Sequence, residues 1–287
     1  MSSSPVVENL IRLLDLEQIE VNLFRGFNPE KKRPRVFGGQ VLGQALVAAG
    51  RTVEGREAHS FHGYFLRPGN SDLPIIYEVD RIRDGKSFTT RRVVAIQNGK
   101  AIFNMSSSFQ VQEEGLEHQF DMPDAEPPEG LDTEEMQLEV LAETDPDNYK
   151  PATFYDWPIE FRHIDQGKSN RAGKHSPHHM CWFRATEKLP DLPILHKCIL
   201  AYASDRGLLA TALLPHGVSI DNKKLQAASL DHAMWFHHEI RADEWLLYVQ
   251  DSPSSSNARG FCRGSIYRRD GLLVASVTQE GLIRHWD

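Results

Sequence analysis

The chain is poor in cysteine: Cys181, Cys198 and Cys262 are its only three in 287 residues, and no two form a CxxC pair. That spacing argues against a disulfide framework or a thiolate zinc knuckle and fits a reducing cytoplasm. Long apolar runs are also missing, so no membrane insertion is expected, and the small, polar start from Met1 to Pro5 shows no secretory leader. The GxSxG elbow, the GxxxxGK[ST] loop and the GxGxxG loop do not occur. Their absence argues against an α/β-hydrolase serine nucleophile and against the common nucleotide cradles, and no cofactor is expected.

Basic residues are lacking over one long stretch. Residues 113–147 hold 14 Asp and Glu and no Lys or Arg. Without them, 26 acidic residues face 32 basic ones, so the overall charge of −8 hides an excess of +6 elsewhere. A mildly basic body suits an anionic small molecule, and its diffuse charge argues against nucleic acid as a partner. The acidic stretch also holds Pro123, Pro127, Pro128 and Pro146. It reads as a solvated linker with one surface helix over residues 133–142.

What is present is organised around residues 36–49, an uncharged stretch bounded by Arg35 and Arg51. Val41, Leu42, Ala45, Leu46, Ala48 and Ala49 recur at helical spacing, with Gln40 and Gln44 the only polar side chains. A helix apolar nearly all round is a buried helix. Gly38 and Gly39 at its start allow two readings. They leave N–H groups able to polarise a ligand at the positive end of the helix dipole, or they only permit close packing against a sheet.

Residues 6–16 read as an amphipathic helix, 20–26 as a short strand and 28–34 as a polar loop. Beyond Ala58 the period becomes two, with strands at 59–66, 75–83, 87–97 and 100–111 and a hairpin signal at Asn98-Gly99. The pattern then repeats. Strands are expected at 159–164 and 179–185, a helix at 195–214, and strands at 226–237, 245–250, 260–268 and 272–284, with a turn at Arg269-Asp270-Gly271. The two Asx-Gly turns lie 172 apart (271 − 99), an offset that sets Arg91 on Arg263, Ser107 on Gln279 and Tyr64 on Phe236. We read this as an internal duplication. One helix wrapped by a bent antiparallel sheet, twice in one chain, is a double hot-dog of the α+β class. The expected division is an N-terminal hot-dog over 1–115, a linker over 116–150 and a C-terminal hot-dog over 151–287.

Candidate chemistry sits where polar residues interrupt apolar faces. Asp205 has Ala201 and Tyr202 one turn before it and Leu208 and Leu209 one turn after. A carboxylate on a buried face must be hydrogen-bonded, and its pKa can be tuned for base chemistry. Gln279 shares an inward row with Leu273, Ala275, Val277 and Gly281, and Ser229 opens the strand after the Asp205 helix. These three are the candidate catalytic residues. The first helix offers no carboxylate, so one site per chain is expected, in the second half. Along residues 178–181, His179 and Cys181 share one face and His178 points the other way, so no metal site is expected there. His59 and His62 are likewise expected on opposite faces.

At these positions the chain resembles the acyl-CoA thioesterase II (TesB-type) family. The resemblance covers nearly the whole chain and rests on Val36-Phe37-Gly38-Gly39-Gln40, residues 59–69, Ser229-Leu230-Asp231-His232-Ala233-Met234-Trp235-Phe236-His237 and Val277-Thr278-Gln279-Glu280-Gly281. It implies hydrolysis of fatty acyl-CoA to free acid and CoA by a trio matching Asp205, Ser229 and Gln279. Bacterial members often carry threonine where Ser229 stands, and serine keeps the hydroxyl. In this reading Asp205 is the general base or orients the water, and Ser229 and Gln279 hold that water in line with the carbonyl. The alternatives are a hot-dog enoyl-CoA hydratase or dehydratase, whose Asp-x-Asn-x-x-His setting is not found, and a non-catalytic acyl-CoA-binding protein. A homodimer or homotetramer is expected. The terminal Arg284-His285-Trp286-Asp287 is not the Ser-Lys-Leu peroxisomal address.

Overall fold

In the computed structural model, which describes residues 5–29, 35–144, 157–164 and 173–286, strands dominate. The first half runs α1 (Pro5–Leu14), β1 (Glu17–Glu20), β2 (Leu23–Gly26), α2 (Gly38–Gly50), β3 (Glu57–Phe65), β4 (Ile75–Asp84), β5 (Phe88–Gln97) and β6 (Lys100–Gln110). After α3 (Glu134–Thr144) come β7 (Ile159–His163), β8 (His178–Ala185), α4 (Pro193–Ser204), β9 (Leu225–Ser229), β10 (Asp231–Phe236), β11 (Leu246–Ser256), β12 (Arg259–Arg268) and β13 (Leu273–His285).

The strands join one sheet in the order β1-β2-β4-β5-β6-β3-β10-β13-β12-β11-β8-β7, with β9 on β13. Outward from the central β3–β10 pair the two sides have the same connectivity, which is the expected duplication. Bulges repeat as well. Those at Asp80/Arg83 and Ala95/Ile96 recur 171 residues later at Asp251/Ser254 and Ile266/Tyr267 (80 + 171 = 251; 95 + 171 = 266). A bulge adds a residue to one strand and bends it, so both halves curl at the same places. Pairing β3 with β10 merges the halves and leaves no open edge between them.

Inside the curl lie α2 and α4, packed antiparallel: Gly39 abuts Tyr202, Gly43 abuts Cys198 and Gly50 abuts Ile194. The helix α2 has no side-chain cap, so burial rather than capping holds it. Its buried amides are satisfied. Gln44 donates to Leu13 O at 2.6 Å and accepts from Tyr77 Oη at 2.7 Å, and Gln40 donates to Asn28 Oδ1 at 2.8 Å.

Four expectations need correction. Residues 20–26 are not one strand but the end of the β1–β2 hairpin. The helix expected over 195–214 stops at Ser204: Gly207 is left-handed (φ +81°), and Leu208–His216 continues as a 3-10 helix. The expected strand 226–237 breaks at Leu230 into β9 and β10, so Ser229 ends a strand instead of opening one. The acidic stretch is docked, not freely solvated. Trp182 Nε1 donates to Glu126 O at 2.8 Å, Arg162 to Pro128 O at 2.7 Å, and Arg269 pairs with Glu129 at 2.7 Å. Leu131 joins Trp182, Trp245, Leu247 and Tyr267 in a second small core. Parts of the expected loop 28–34 and linker 116–150 lie outside the described residues.

Candidate active site

Backbone geometry delivers each of the three candidate side chains. Asp205 is the C-cap of α4, turned out of the helix just before Gly207. Ser229 is the last residue of β9, paired with Gly281 of β13. Gln279 lies two residues earlier on β13, on the buried row with Ala275 and Val277 as expected. The three meet. Gln279 Nε2 donates to Asp205 Oδ1 at 2.7 Å and to Ser229 Oγ at 2.8 Å, and Ser229 Oγ donates to Asp205 Oδ1 at 3.2 Å. Gln279 is fully buried, and its Oε1 makes no hydrogen bond.

The first half supplies a fourth member that sequence reasoning assigned only to packing or to an unspecified ligand. The Gly39 N–H donates to Asp205. It belongs to the first turn of α2, where backbone N–H groups have no partner inside the helix and the dipole favours an anion. Both glycines are required by this approach. A Cβ on Gly38 would stand 2.6 Å from Asp205 Oδ2, and one on Gly39 would stand 2.2 Å from Tyr202 O. The site therefore straddles the two halves and is not confined to the second.

The Asp205 side chain is only 5% exposed. Burial pushes its pKa above the ordinary 3.8, opposed by the hydrogen bonds from Gln279, Ser229 and Gly39. A basic carboxylate results, held in place by its donors. Aromatic rings pack around the start of α2 beside it: Phe37, next to Gly39, meets Trp157 and Tyr202 edge-on at 5.5 and 5.2 Å, and Phe65 faces Gly38.

His232 was read in the sequence only as part of a motif. It is fully buried beside the trio, with Nδ1 4.0 Å from Asp205 Oδ1 and Nε2 2.9 Å from Ser204 Oγ. Burial lowers its pKa to about 3, so it is neutral. The alternation of β10, with His232, Met234 and Phe236 all buried, was the signal that placed it inward. His59, by contrast, does not stand opposite His62. The bulge between Ala58 and Ser60 sets it against Ser108 Oγ at 2.8 Å and Phe88, on the outer face that His62 shares.

The duplication also shows why the described residues form one such centre. At the offset of 172, Gln279 corresponds to Ser107. Gly281, the strand partner of Ser229, corresponds to Phe109, whose own partner is Ala58. The residue that caps α2 where Asp205 caps α4 is Arg51, which pairs with Asp15. Carboxylate, hydroxyl and amide are thus replaced by an arginine, an alanine and a serine. Lys197 lines this end of the helix pair, donating to Glu57 at 2.6 Å.

Fold and site together define an internally duplicated hot-dog protein with, among the described residues, one carboxylate–hydroxyl–amide centre. Residues 152–282 match the family described as acyl-CoA thioesterase, and residues 29–110 match the acyl-CoA thioesterase N-terminal domain. The chain is 40% identical over 281 residues to acyl-coenzyme A thioesterase 8 of Homo sapiens, covering 95% of this chain and 88% of the relative. Among solved structures it is similar to the acyl-CoA thioesterase II TesB2 of Mycobacterium marinum (44% identity, 96% and 98% of the two chains, TM-score 0.79). A hot-dog protein from Alicyclobacillus acidocaldarius shares the fold at 17% identity over 99% and 100% of the chains, with a TM-score of 0.76. The chain belongs to the acyl-CoA thioesterase family.

Proposed function

We propose that this thioester hydrolase cleaves fatty acyl-CoA by direct attack of a water molecule held by Asp205, Ser229 and Gln279. The observation that carries the reading is the Gln279 amide. Its nitrogen donates to both Asp205 and Ser229, which turns its unbonded Oε1 toward a free acceptor role. A water set against that oxygen and the Asp205 carboxylate has both its hydrogens engaged and a lone pair free for the thioester carbon. Asp205 takes one proton as the new C–O bond forms. The C–S bond then breaks, and the thiolate of CoA leaves without needing an acid. The first turn of α2, which lies against Asp205, offers N–H donors for the developing oxyanion.

Positioning and general-base catalysis supply the rate. Burial supports the base role because it raises the proton affinity of Asp205. A neutral His232 supports hydrolysis over hydration, since it is enclosed between Ser204 and Phe61 instead of facing a substrate. The reading includes two hot-dog units over 1–115 and 151–287, a homodimer or homotetramer, and a cytoplasmic location. Among the described residues no helix is long and apolar enough to cross a membrane. The deciding assay follows free thiol release from palmitoyl-CoA by wild type and Asp205→Asn. Release by the first and its loss in a folded second is expected. Wild-type turnover by Asp205→Asn would overturn the base assignment, and no release by wild type would leave only binding.

A further inference from the structure

A second polar cluster, sharing no residue with Asp205, Ser229 and Gln279, lies on the inner face of the C-terminal sheet. His163 on β7 pairs across the ladder with Cys181 on β8, and His179 stands two residues before Cys181 on the same face. A ring nitrogen of each histidine and the Cys181 sulfur all lie within 4.8 Å of one another. His163 Nδ1 and His179 Nε2 are 2.9 Å apart. On the far side of the His163 ring, Nε2 is 3.6 Å from Glu134 Oε1 on α3. Glu134 in turn accepts from Arg206 at 2.7 Å, so that cation is neutralised before it reaches the cluster.

We propose that His163, His179 and Cys181 bind one divalent transition-metal ion of the zinc class, with Glu134 holding His163 from outside. Two imidazoles and one sulfur form a borderline-soft donor set, which selects zinc-like ions over magnesium or calcium. A carboxylate on the remote nitrogen of a ligating histidine is the arrangement that orients such ligands. In a tetrahedral site, ligand atoms stand about 3.4–3.7 Å apart. Small rotations of the two rings bring the observed separations to that spacing, and a water fills the fourth position. Binding balances simply. The Cys181 thiol loses one proton to solvent as the sulfur–metal bond forms. The proton between the two rings moves to the outer nitrogen of His179, while His163 keeps its own toward Glu134. His163 and Glu134 are partly exposed and give the ion its way in, whereas Cys181 is buried.

The strand pattern of 178–181 alone argued against a metal there, because His178 points outward. That remains true: His178 is exposed and bonds Ser176. The ligand that the pattern lacked comes from β7, across a pairing that one strand cannot reveal.

The test is titration of the reduced, metal-free full chain with Co²⁺, followed by displacement with Zn²⁺. One Co²⁺ per chain is expected, with the near-ultraviolet thiolate-to-cobalt band, bleached by Zn²⁺. Cys181→Ser should lose that band, and His163→Ala should lose stoichiometric binding. Glu134→Gln should weaken affinity by about 10–100-fold, and His178→Ala should change nothing. Circular dichroism checks each fold, and His163→Gln, at a partly exposed site, stands in if Cys181→Ser does not fold. A folded wild type that binds no Co²⁺, or binds it without a thiolate band, overturns the proposal. So does wild-type binding by His163→Ala or His163→Gln.

Discussion

The backbone N–H of Gly39, in the first turn of one helix, donates to the carboxylate of Asp205 at the end of the other. The two residues are 166 apart in sequence (205 − 39), and neither half of the duplicated chain contains both. The antiparallel packing of α2 and α4 brings the positive end of one helix to the Asp205 carboxylate at the end of the other. A glycine pair that looks like a packing device thereby becomes part of the charge balance of the site.

Replacing Asp205 tests the chemistry and the cost of burial together. Asp205→Asn keeps the size and the contact with Gly39, so the fold is expected to persist. Turnover should fall by about 10²–10⁴-fold, as for loss of a general base. Because burial raises the pKa of Asp205, the charged form is strained in the folded state, and the melting temperature at neutral pH should hold or rise. Thiol-release kinetics and thermal unfolding on one preparation check both.

The pH profile follows from the same shift. Asp205 holds its proton more tightly folded than unfolded, so activity should fall on an acid limb above the ordinary 3.8. Its own contribution to stability has the opposite sign. That contribution is present below 3.8 and is lost as pH rises through the folded pKa. His232 is neutral above about 3 and contributes no limb of its own. The acid limb should therefore disappear from the residual activity of Asp205→Asn, and a limb unchanged in that variant would assign it elsewhere.

Ser229→Ala and Gln279→Ala each remove one donor to Asp205 Oδ1. Each should cost about 10²–10³-fold in kcat, the scale for one lost electrostatic donor. Because the three side chains act as one unit, the double variant should cost little more than the worse single one. Strict multiplication of the two effects would show that they act independently.

Gly38→Ala should be folded and nearly inactive. The added methyl would lie 2.6 Å from Asp205 Oδ2, so the carboxylate must turn away. A displacement of that order costs about 10²-fold. Near-wild-type kcat in this variant would show that the carboxylate orientation is unimportant.

Arg91 and Arg263 occupy matching places in the repeat but should differ in stability effect. Arg91 is 1% exposed and bonds Thr52, Arg83 O and Asp84, whereas Arg263 is exposed and pairs with Asp251. Arg91→Ala should lower stability by about 2–3 kcal/mol, because it leaves buried acceptors unpaired. Arg263→Ala should stay within about 0.5 kcal/mol. Urea unfolding of the two variants checks the contrast.

Local pattern carries much of this protein. Period-two alternation marked the strands, an apolar stretch marked α2, and two Asx-Gly turns at a fixed offset exposed the duplication. Polar residues on apolar rows picked out Asp205 and Gln279, because an unpaired polar group in a core is too costly to be accidental. Where local pattern misled, a single residue had broken a periodicity. Gly207 ended a helix whose apolar spacing ran on. Leu230 divided a strand, and the bulge at residues 58–60 turned His59 to the outer face. A bulge changes which face a side chain takes without leaving a mark in composition.

The sequence by itself determined the repeated helix-and-strand pattern read as a double hot-dog and the polar interruptions at Asp205 and Gln279, and its motifs carry the family resemblance that implies a trio with Ser229. Only the tertiary structure decided what those elements meet: Gly39 on Asp205, His232 behind it, and His163 opposite Cys181. Such contacts depend on helix packing and strand register between segments far apart in the chain, and no local periodicity encodes them.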